Sequence, residues 1–167
     1  MAATSSFDVS TGADLQEVDN AVNQTLKEIS QRYDFKGTHC TVEFDRANAL
    51  VKVFADDEFR MKQLLDVLRA KAAKRGVPAK NIKVGDFEAA AGTGVRCTIT
   101  LTQGIDQDTA KKITKAIKDH GFKKVQTAIQ GEEVRVMSPS KDELQEVIAF
   151  LRSQDFGIEL KFGNYRG

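Results

Sequence analysis

The sequence predicts an α+β fold in which the order strand–helix–strand–strand–helix–strand occurs twice. Residues 41–69 and 127–152 share one pattern: a strand, a polar turn, a second strand, a polar helix cap and a helix. An amphipathic helix precedes each stretch and one more strand follows it, so the chain contains a duplication. This order is that of the split βαβ, or ferredoxin-like, unit, an antiparallel sheet with two helices on one face and the other face open.

In the first half, Phe7 and Val9 supply a short strand before the first helix. Asp14 and Glu17 form a capping box at the start of that helix. Its apolar stripe recurs at steps of three and four residues and comprises Leu15, Val18, Val22, Leu26, Ile29 and Tyr33. The second helix stops at Gly76, and its apolar positions are Leu64, Leu65, Leu68 and Ala72. A strand is predicted within residues 81–87.

In the second half, strict alternation predicts a strand over residues 95–102, with Cys97 and Ile99 pointing inward and Arg96 outward. The third helix ends at Gly121, the fourth is opened by Ser140, and the last strand lies in residues 157–162. Between the halves, EAAAGTG (residues 88–94) has the composition of a flexible linker. The predicted domains are therefore residues 1–90 and 91–167.

Composition limits the class of protein. The 167 residues are 41% apolar and 29% charged, as in globular proteins, and no apolar run approaches the roughly 20 residues that cross a bilayer. The N-terminal MAATSSFDVS lacks the basic and apolar regions of a signal peptide, so the expected location is the cytoplasm. A net charge of +1 disfavours non-specific coating of nucleic acid, and anion binding must come from local clusters.

No catalytic constellation is present in the sequence. The two histidines, His39 and His120, have no partner at metal-ligand spacing, and no Walker loop or nucleophile elbow occurs. The acidic run at residues 56–58 is explained by helix capping rather than by magnesium. We expect no enzyme activity, no metal and no cofactor.

Two surfaces could hold an anion. Lysines of the third helix and the following loop form either a phosphate-binding stripe or a solvated helix face: Lys111, Lys112, Lys115, Lys118, Lys123 and Lys124. The open sheet faces carry Arg96 and Arg135, which could line a polar groove for a small nucleotide. Base stacking of the kind used by RNA-recognition modules is disfavoured, because only Phe54 of the strand aromatics alternates outward.

The most concentrated candidates are RYDFKG (residues 32–37) and the C-terminal NYR. Tyr33 continues the helix stripe and is assigned to the core, while Phe35 supplies the apolar contact after the helix end. Arg32, Asp34 and Lys36 then have no core role. Packing alone does not explain the residues after the last strand, Asn164, Tyr165 and Arg166. In each half such residues gather at one rim, where cations and a ring could hold phosphate and base.

At these residues the sequence resembles a known family. SFDVS, QEVDNAVNQ, RYDFKG, LTQGID, KVQTAIQGEEVRV, DELQEV and NYR are similar, in order and spacing, to the YajQ family of bacterial proteins. The resemblance implies a cytosolic, non-enzymatic, nucleotide-binding protein. It also implies two ferredoxin-like domains with exchanged N-terminal strands, so that residues 95–102 complete the first domain and residues 7–9 the second. One departure is the turn at residues 137–141, MSPSK, where the family has Thr-Gly-Lys.

The sequence and the resemblance together predict a small-nucleotide-binding protein. The ligand would be cyclic di-GMP or a GTP-like nucleotide, and signalling would pass through a protein partner such as a transcription regulator. The first site candidates are Arg32, Lys36, Asn164, Tyr165 and Arg166, followed by Asp34, Arg96, Lys111, Lys115 and Arg135. Two alternatives stay open: a protein-interaction module with incidental nucleotide binding, and an RNA-binding protein that uses the basic third helix.

Overall fold

The computed structural model describes residues 4–167, and the first three residues of the segment used for the localisation prediction lie outside them. Within this range the helices are α1 (Leu15–Gln31), α2 (Glu58–Lys74), α3 (Gln107–His120) and α4 (Lys141–Arg152). The first strands are β1 (Ser5–Ser10), β2 (Thr41–Asp45), β3 (Leu50–Ala55), β4 (Ile82–Val84) and β5 (Glu88–Ala89). The remaining strands are β6 (Val95–Leu101), β7 (Gln126–Gln130), β8 (Glu133–Ser138) and β9 (Lys161–Arg166).

The strands form two antiparallel sheets. One has the order β7-β8-β1-β9, and the other has the order β2-β3-β6-β4, with β5 also paired to β6. The first strand of the chain therefore lies among C-terminal strands, and β6 lies among N-terminal strands. The predicted fold class is confirmed, and the strand pairings contain the exchange that the resemblance implied. Each half of the chain contributes one strand to the sheet of the other half.

The chain divides into two compact units. The C-terminal unit joins the described residues up to Gly12 with Gln103–Gly167, and the N-terminal unit is the continuous segment Ala13–Thr102. The C-terminal unit has the chain order β1-α3-β7-β8-α4-β9, which is the ferredoxin-like order itself. In the N-terminal unit β6, the last strand, takes the sheet position that β1 takes in the other unit, so this unit is a circularly permuted version of the same fold.

The helix stripes bury the faces that the sequence predicts. In the N-terminal core Val18, Val22 and Ile29 of α1 are buried with apolar residues of α2. In the C-terminal core, α3 and α4 contribute Ile113, Ile117, Leu144, Val147, Ile148 and Leu151. Helix ends also agree with the sequence: Ser140 Oγ accepts the backbone N–H of Glu143 at 3.2 Å, and Gly121 closes α3 with a φ of 89°.

Strand β6 shows the expected alternation. Cys97, Ile99 and Leu101 are buried, whereas Arg96 and Thr98 are exposed. A hydrophobic strand face of this kind fixes its register, since a slip by one residue would turn every apolar side chain to water. The alternation therefore anchors β6 at the centre of its sheet.

Two segments differ from the sequence-based expectation. Part of the predicted linker forms β5, in which Glu88 pairs with Arg96, and a Cβ on Gly94 would lie only 2.7 Å from the ring of Phe54. Hence this segment packs on the sheet. The last strand begins at Lys161 and runs through Arg166, so the NYR residues lie within β9 instead of after it. Pairing with β1 extends β9 that far, across a register shift between Ser6 and Asp8.

None of the helices in residues 4–167 is long and apolar enough to span a lipid bilayer.

The buried thiol of Cys97 provides a test of the β6 register. Cys97 is 3% exposed, and burial raises the pKa of its thiol. Because the thiolate is the reactive form, Cys97 should resist an aromatic disulfide reagent in the native protein and react after denaturation. The half-buried Cys40 is the internal comparison and should react first. Rapid native labelling of Cys97 in a Cys40→Ser variant would contradict the register.

Candidate functional site

The RYDFKG segment ends α1 at Gln31, two residues earlier than its apolar stripe, which continues to Tyr33, suggests. Arg32 leaves the helix with extended backbone angles, φ −80° and ψ 134°, and residues Tyr33–Phe35 form a 3-10 turn. This turn buries Phe35, as expected, but leaves Tyr33 88% exposed. The assignment of Tyr33 to the core is therefore wrong. The helical periodicity on which it rested stops at Ile29, because Tyr33 is no longer helical.

Arg32 is held by two carboxylates. Its Nε and Nη2 donate to the two oxygens of Asp34 at 2.9 and 2.7 Å, and its Nη1 donates to Glu28 Oε2 at 3.4 Å. The guanidinium also lies over the Phe35 ring, 5.4 Å from its centroid. The hydrogen bonds from Arg32 lower the pKa of Asp34. A guanidinium paired in this way has its charge neutralised and its orientation fixed within the protein.

The rest of the motif ties the end of α1 to α2. Asp34 Oδ2 accepts a hydrogen bond from the Gln63 amide at 3.3 Å, and Lys71 pairs with Glu28 at 3.0 Å. Lys36 is exposed, and its backbone N–H donates to the carbonyl of Tyr33 at 3.1 Å. RYDFKG is therefore a junction between two helices in which Lys36 is the cation left facing solvent.

A buried carboxylate organises the end of the C-terminal sheet. Asp8 of β1 is 6% exposed and accepts hydrogen bonds from Arg135 Nε at 2.9 Å and Asn164 Nδ2 at 2.5 Å. The hydrogen bond from Arg135 is the largest of several causes that lower the pKa of Asp8, and the hydrogen bond from Asn164 and the charge of Arg166 act in the same direction against burial. Asp8 thus links β8, β1 and β9 through side chains.

Next to this cluster, an open cleft lies between α4 and the paired ends of β1 and β9. Its volume is about 220 Å³, and its apolar lining includes Phe7 and Leu144. Tyr165, 61% exposed, lines it with its ring centroid 6.2 Å from that of Phe7. Two exposed cations, Lys141 and Arg166, also line it, and neither forms an ion pair within residues 4–167. The cleft therefore combines aromatic surface with two cations that make no direct ion pair among the described residues, although the Asp8 carboxylate lies close enough for the charge of Arg166 to lower its pKa.

The NYR residues divide between two roles. Asn164 has a positive φ of 53° and turns its amide to Asp8, whereas Tyr165 and Arg166 line the cleft. Asparagine tolerates this backbone conformation better than most residues, which suits it to the irregular position in β9. All three are exposed, but only Tyr165 and Arg166 line the cleft.

The remaining candidates do not line this cleft. Arg135 is bound to Asp8, and Arg96 lines a groove of about 370 Å³ on the other sheet, with its Nε 3.2 Å from Glu88 Oε2. Lys111 and Lys115 are exposed on α3, and Lys115 lines a further groove of about 570 Å³. Within residues 4–167 no group of three or more histidine, cysteine or acidic side chains is placed to hold a metal ion.

Two residues of this region are not identified by sequence reasoning. Asp8 occupies the polar position between Phe7 and Val9, so its outward phase is visible in the sequence, but its burial depends on Arg135 and Asn164 from distant strands. Lys141 belongs to the MSPSK turn, in which the sequence shows only a departure from the family pattern. Its position at the start of α4, where it lines the cleft, is evident only in the folded chain.

The fold places this chain among α+β proteins built from two ferredoxin-like units. The cations and the aromatic ring of the cleft suit a planar anionic ligand. The model of the family described as "Nucleotide-binding protein YajQ-like" matches residues 5–166. The chain belongs to this family.

Relatives cover the chain from end to end. A protein of Chloroherpeton thalassium named "Nucleotide-binding protein" is 45% identical over 166 residues, which is 99% of this chain and 100% of the relative. A protein of the same name from Citrifermentans bemidjiense is 46% identical over 161 residues, 96% of this chain and 98% of the relative. A nucleotide-binding protein of Bacillus cereus is 48% identical over 166 residues, again 99% and 100%.

The two aromatic residues of RYDFKG should differ in their effect on stability. Phe35→Ala removes a buried ring and should lower the free energy of unfolding by about 3 kcal/mol, whereas Tyr33→Ala removes an exposed ring and should change it by less than about 0.5 kcal/mol. Denaturant unfolding of both variants measures the difference. An equal loss in both would contradict the early end of α1.

The charge of Asp8 should stabilise the fold in a pH-dependent way. A carboxylate whose pKa is lowered on folding stabilises the fold fully above its unfolded pKa, and the contribution is lost as pH falls through the folded pKa. Asp8→Asn should therefore lower the free energy of unfolding by about 2 kcal/mol near pH 7 and by less at an acidic pH below about 3.9, the ordinary pKa of an unfolded aspartate. The exposed Asp119→Asn is the control, with little effect at either pH. If the difference in free energy of unfolding between Asp8→Asn and the unsubstituted protein did not change with pH, the charge of Asp8 would not be what stabilises the fold.

Proposed function

We propose that the C-terminal unit binds a small nucleotide in the cleft lined by β1, β9 and α4. The observation that carries this proposal is the exposed Tyr165 ring next to two cations without ion pairs, Lys141 and Arg166. The family description and the names of the relatives, which refer to nucleotide binding, support the choice of ligand class.

The base is the group that the apolar part of the cleft would take. Tyr165 is already tilted against Phe7, so its ring is braced on one side and can stack with a base on the other. Stacking of a base on an aromatic side chain contributes roughly 1–3 kcal/mol. The amide of Gln145, which also lines the cleft, has a donor and an acceptor for the base edge.

The phosphates would be held by side chains. Arg166 can donate two parallel hydrogen bonds to a phosphate, and Lys141 supplies a second cation from the first turn of α4. Asp142 and Glu143 occupy that same turn, so the helix end itself attracts anions weakly. Phosphate affinity in this proposal therefore rests on Arg166 and Lys141.

The size of the cleft indicates how much of a ligand it encloses. Sites that enclose a whole drug-sized molecule have volumes of about 300–1,000 Å³. A cleft of about 220 Å³ suits one base and its adjoining phosphate. We propose a GTP-like nucleotide, or one half of cyclic di-GMP, with the rest of the ligand exposed at the rim, where a protein partner such as a transcription regulator could sense it.

We propose that binding occurs without turnover. The side chains that line the cleft within the described chain include the hydroxyls of Ser5 and Ser6 but no histidine, cysteine or carboxylate side chain that could activate them, and Ser5 Oγ donates to the backbone oxygen of Gly167 at 3.5 Å. A ligand held there would be recognised and released unchanged, as an effector protein requires.

The test is a titration of fluorescent GTP and fluorescent cyclic di-GMP against single variants. Tyr165→Ala should weaken binding about tenfold through lost stacking, and Tyr165→Phe should retain most of the affinity. Arg166→Gln should weaken binding by roughly 1.5–3 kcal/mol and reduce the salt dependence by about one phosphate contact.

Matched controls come from the other unit. Tyr33→Ala removes the other exposed tyrosine, and Arg32→Gln removes the paired arginine of RYDFKG, so neither should change affinity. Loss of binding in Arg32→Gln or Lys36→Ala with full binding in Arg166→Gln would move the site to RYDFKG. A steep salt dependence with tighter binding of single-stranded RNA than of either nucleotide would favour the RNA-binding alternative.

A further inference from the structure

A second groove in the C-terminal unit lies between α3 and β7. It has a volume of about 570 Å³, and its lining includes apolar side chains and two exposed lysines, Lys115 and Lys118. Its apolar residues are Ile117, Phe122 and Val125. The groove shares no residue with the proposed nucleotide cleft, so a ligand of this groove could bind whether or not a nucleotide is bound.

The two lysines that line this groove, Lys115 and Lys118, form no ion pair within residues 4–167, and the Glu143 carboxylate nearby accepts only the backbone N–H of Lys124, at 3.3 Å. Lys111, Lys115 and Lys118 lie on one face of α3, and Lys123 and Lys124 follow the helix. Within the described residues none of the five has an ammonium within 4.0 Å of a carboxylate oxygen, whereas Arg32, Lys71 and Arg75 of the N-terminal unit are all paired. Like charges at i,i+3 and i,i+4 repel one another, so an external anion would stabilise this face.

Beside the groove runs the unpaired edge of the sheet. Strand β7 pairs with β8 on one side only, so every second residue of β7 directs its N–H and C=O outward. The groove is lined by Thr127 of β7 and by Val125, the residue just before the strand. An extended segment bound at this edge would form backbone hydrogen bonds with β7 and would lie beside the groove that Lys115 and Lys118 line.

We propose that β7 accepts an extended acidic segment of a protein partner as a fifth antiparallel strand. Its backbone would pair with the free edge of β7, and its apolar side chains would meet Phe122 and Val125, which are only partly buried. Its aspartate or glutamate side chains would reach Lys115 and Lys118. We infer acidic side chains because they complement the charge of the lysines. We infer an extended polypeptide because its backbone can form hydrogen bonds with the unpaired edge of β7.

Two observations favour a polypeptide over single-stranded RNA. Free ladder groups spaced along β7 match a peptide backbone, which RNA cannot supply. The ring most available for base stacking, Phe122, already stacks face to face on His120, with centroids 4.5 Å apart and planes 8° apart. Sequence-tolerant RNA grooves rely on free aromatic faces together with cations, and here one face of the ring is covered.

Lysines also protect sheet edges against unwanted pairing, and that role makes a different prediction. An edge that is only protected should refuse any added strand, acidic or basic. An edge built for an acidic segment should accept one and become protected from solvent along β7.

The experiment uses the full chain and three fluorescent probes. The first is a peptide that alternates glutamate and valine, the second has lysine in place of glutamate, and the third is an oligouridylate. The acidic peptide should bind, and backbone amides of β7 (Gln126–Gln130) should exchange more slowly with deuterium when it is bound. Lys118→Glu should weaken its binding about tenfold or more, because an attraction becomes a repulsion.

Lys74→Glu is the matched control. Lys74 and Lys118 are both exposed lysines in the last turn of an amphipathic helix, so both substitutions cost the same favourable helix-end charge. Lys74→Glu should leave binding unchanged. Equal losses in the two variants, acidic-peptide binding without slower exchange in β7, no acidic-peptide binding, or tighter binding of the oligouridylate or the basic peptide would each overturn the proposal.

Discussion

The burial of β1 between β8 and β9 is the constraint on which the C-terminal unit depends. Phe7 and Val9 on one face of this strand are completely buried, and they join the core that α3 and α4 cover. Asp8, on the other face, draws in Arg135 from one neighbour and Asn164 from the other. Because β9 is registered against β1, Tyr165 and Arg166 arrive at the cleft only when β1 is in place.

Local patterns predicted the elements and their caps, since these depend on residues a few positions apart. The alternation in β6 and the cap at Ser140 are of this kind. Tyr33 shows where local reasoning fails: its spacing fits the stripe of α1, yet the chain leaves the helix at Arg32, which contacts both Asp34 and Glu28. Periodicity cannot predict the strand exchange at all, because an amphipathic strand pattern does not indicate which sheet the strand joins.

The candidate site shows the same division. Sequence patterns made Tyr165, Arg166 and Arg135 candidates, because rings and cations that have no role in packing can be recognised from the sequence alone. The sequence could not separate satisfied from unsatisfied charges. Arg135 finds its carboxylate 127 positions away, while Arg166, in the same region, forms no ion pair within residues 4–167. A net charge of +1 conceals this contrast, since paired and unpaired cations count alike in the sum.

The continuity of the N-terminal unit has a consequence for biosynthesis. Segment Ala13–Thr102 is a single insertion in the sequence of the C-terminal unit. The residues that flank it, Gly12 and Gln103, lie close together: a Cβ on Gly12 would be 3.5 Å from the carbonyl oxygen of Gln103. As the chain leaves the ribosome, the inserted unit has all of its strands once β6 has emerged. Strand β1 is made before the other described strands and must wait with Phe7 and Val9 exposed until β8 and β9 emerge, so it is among the last of them to be paired.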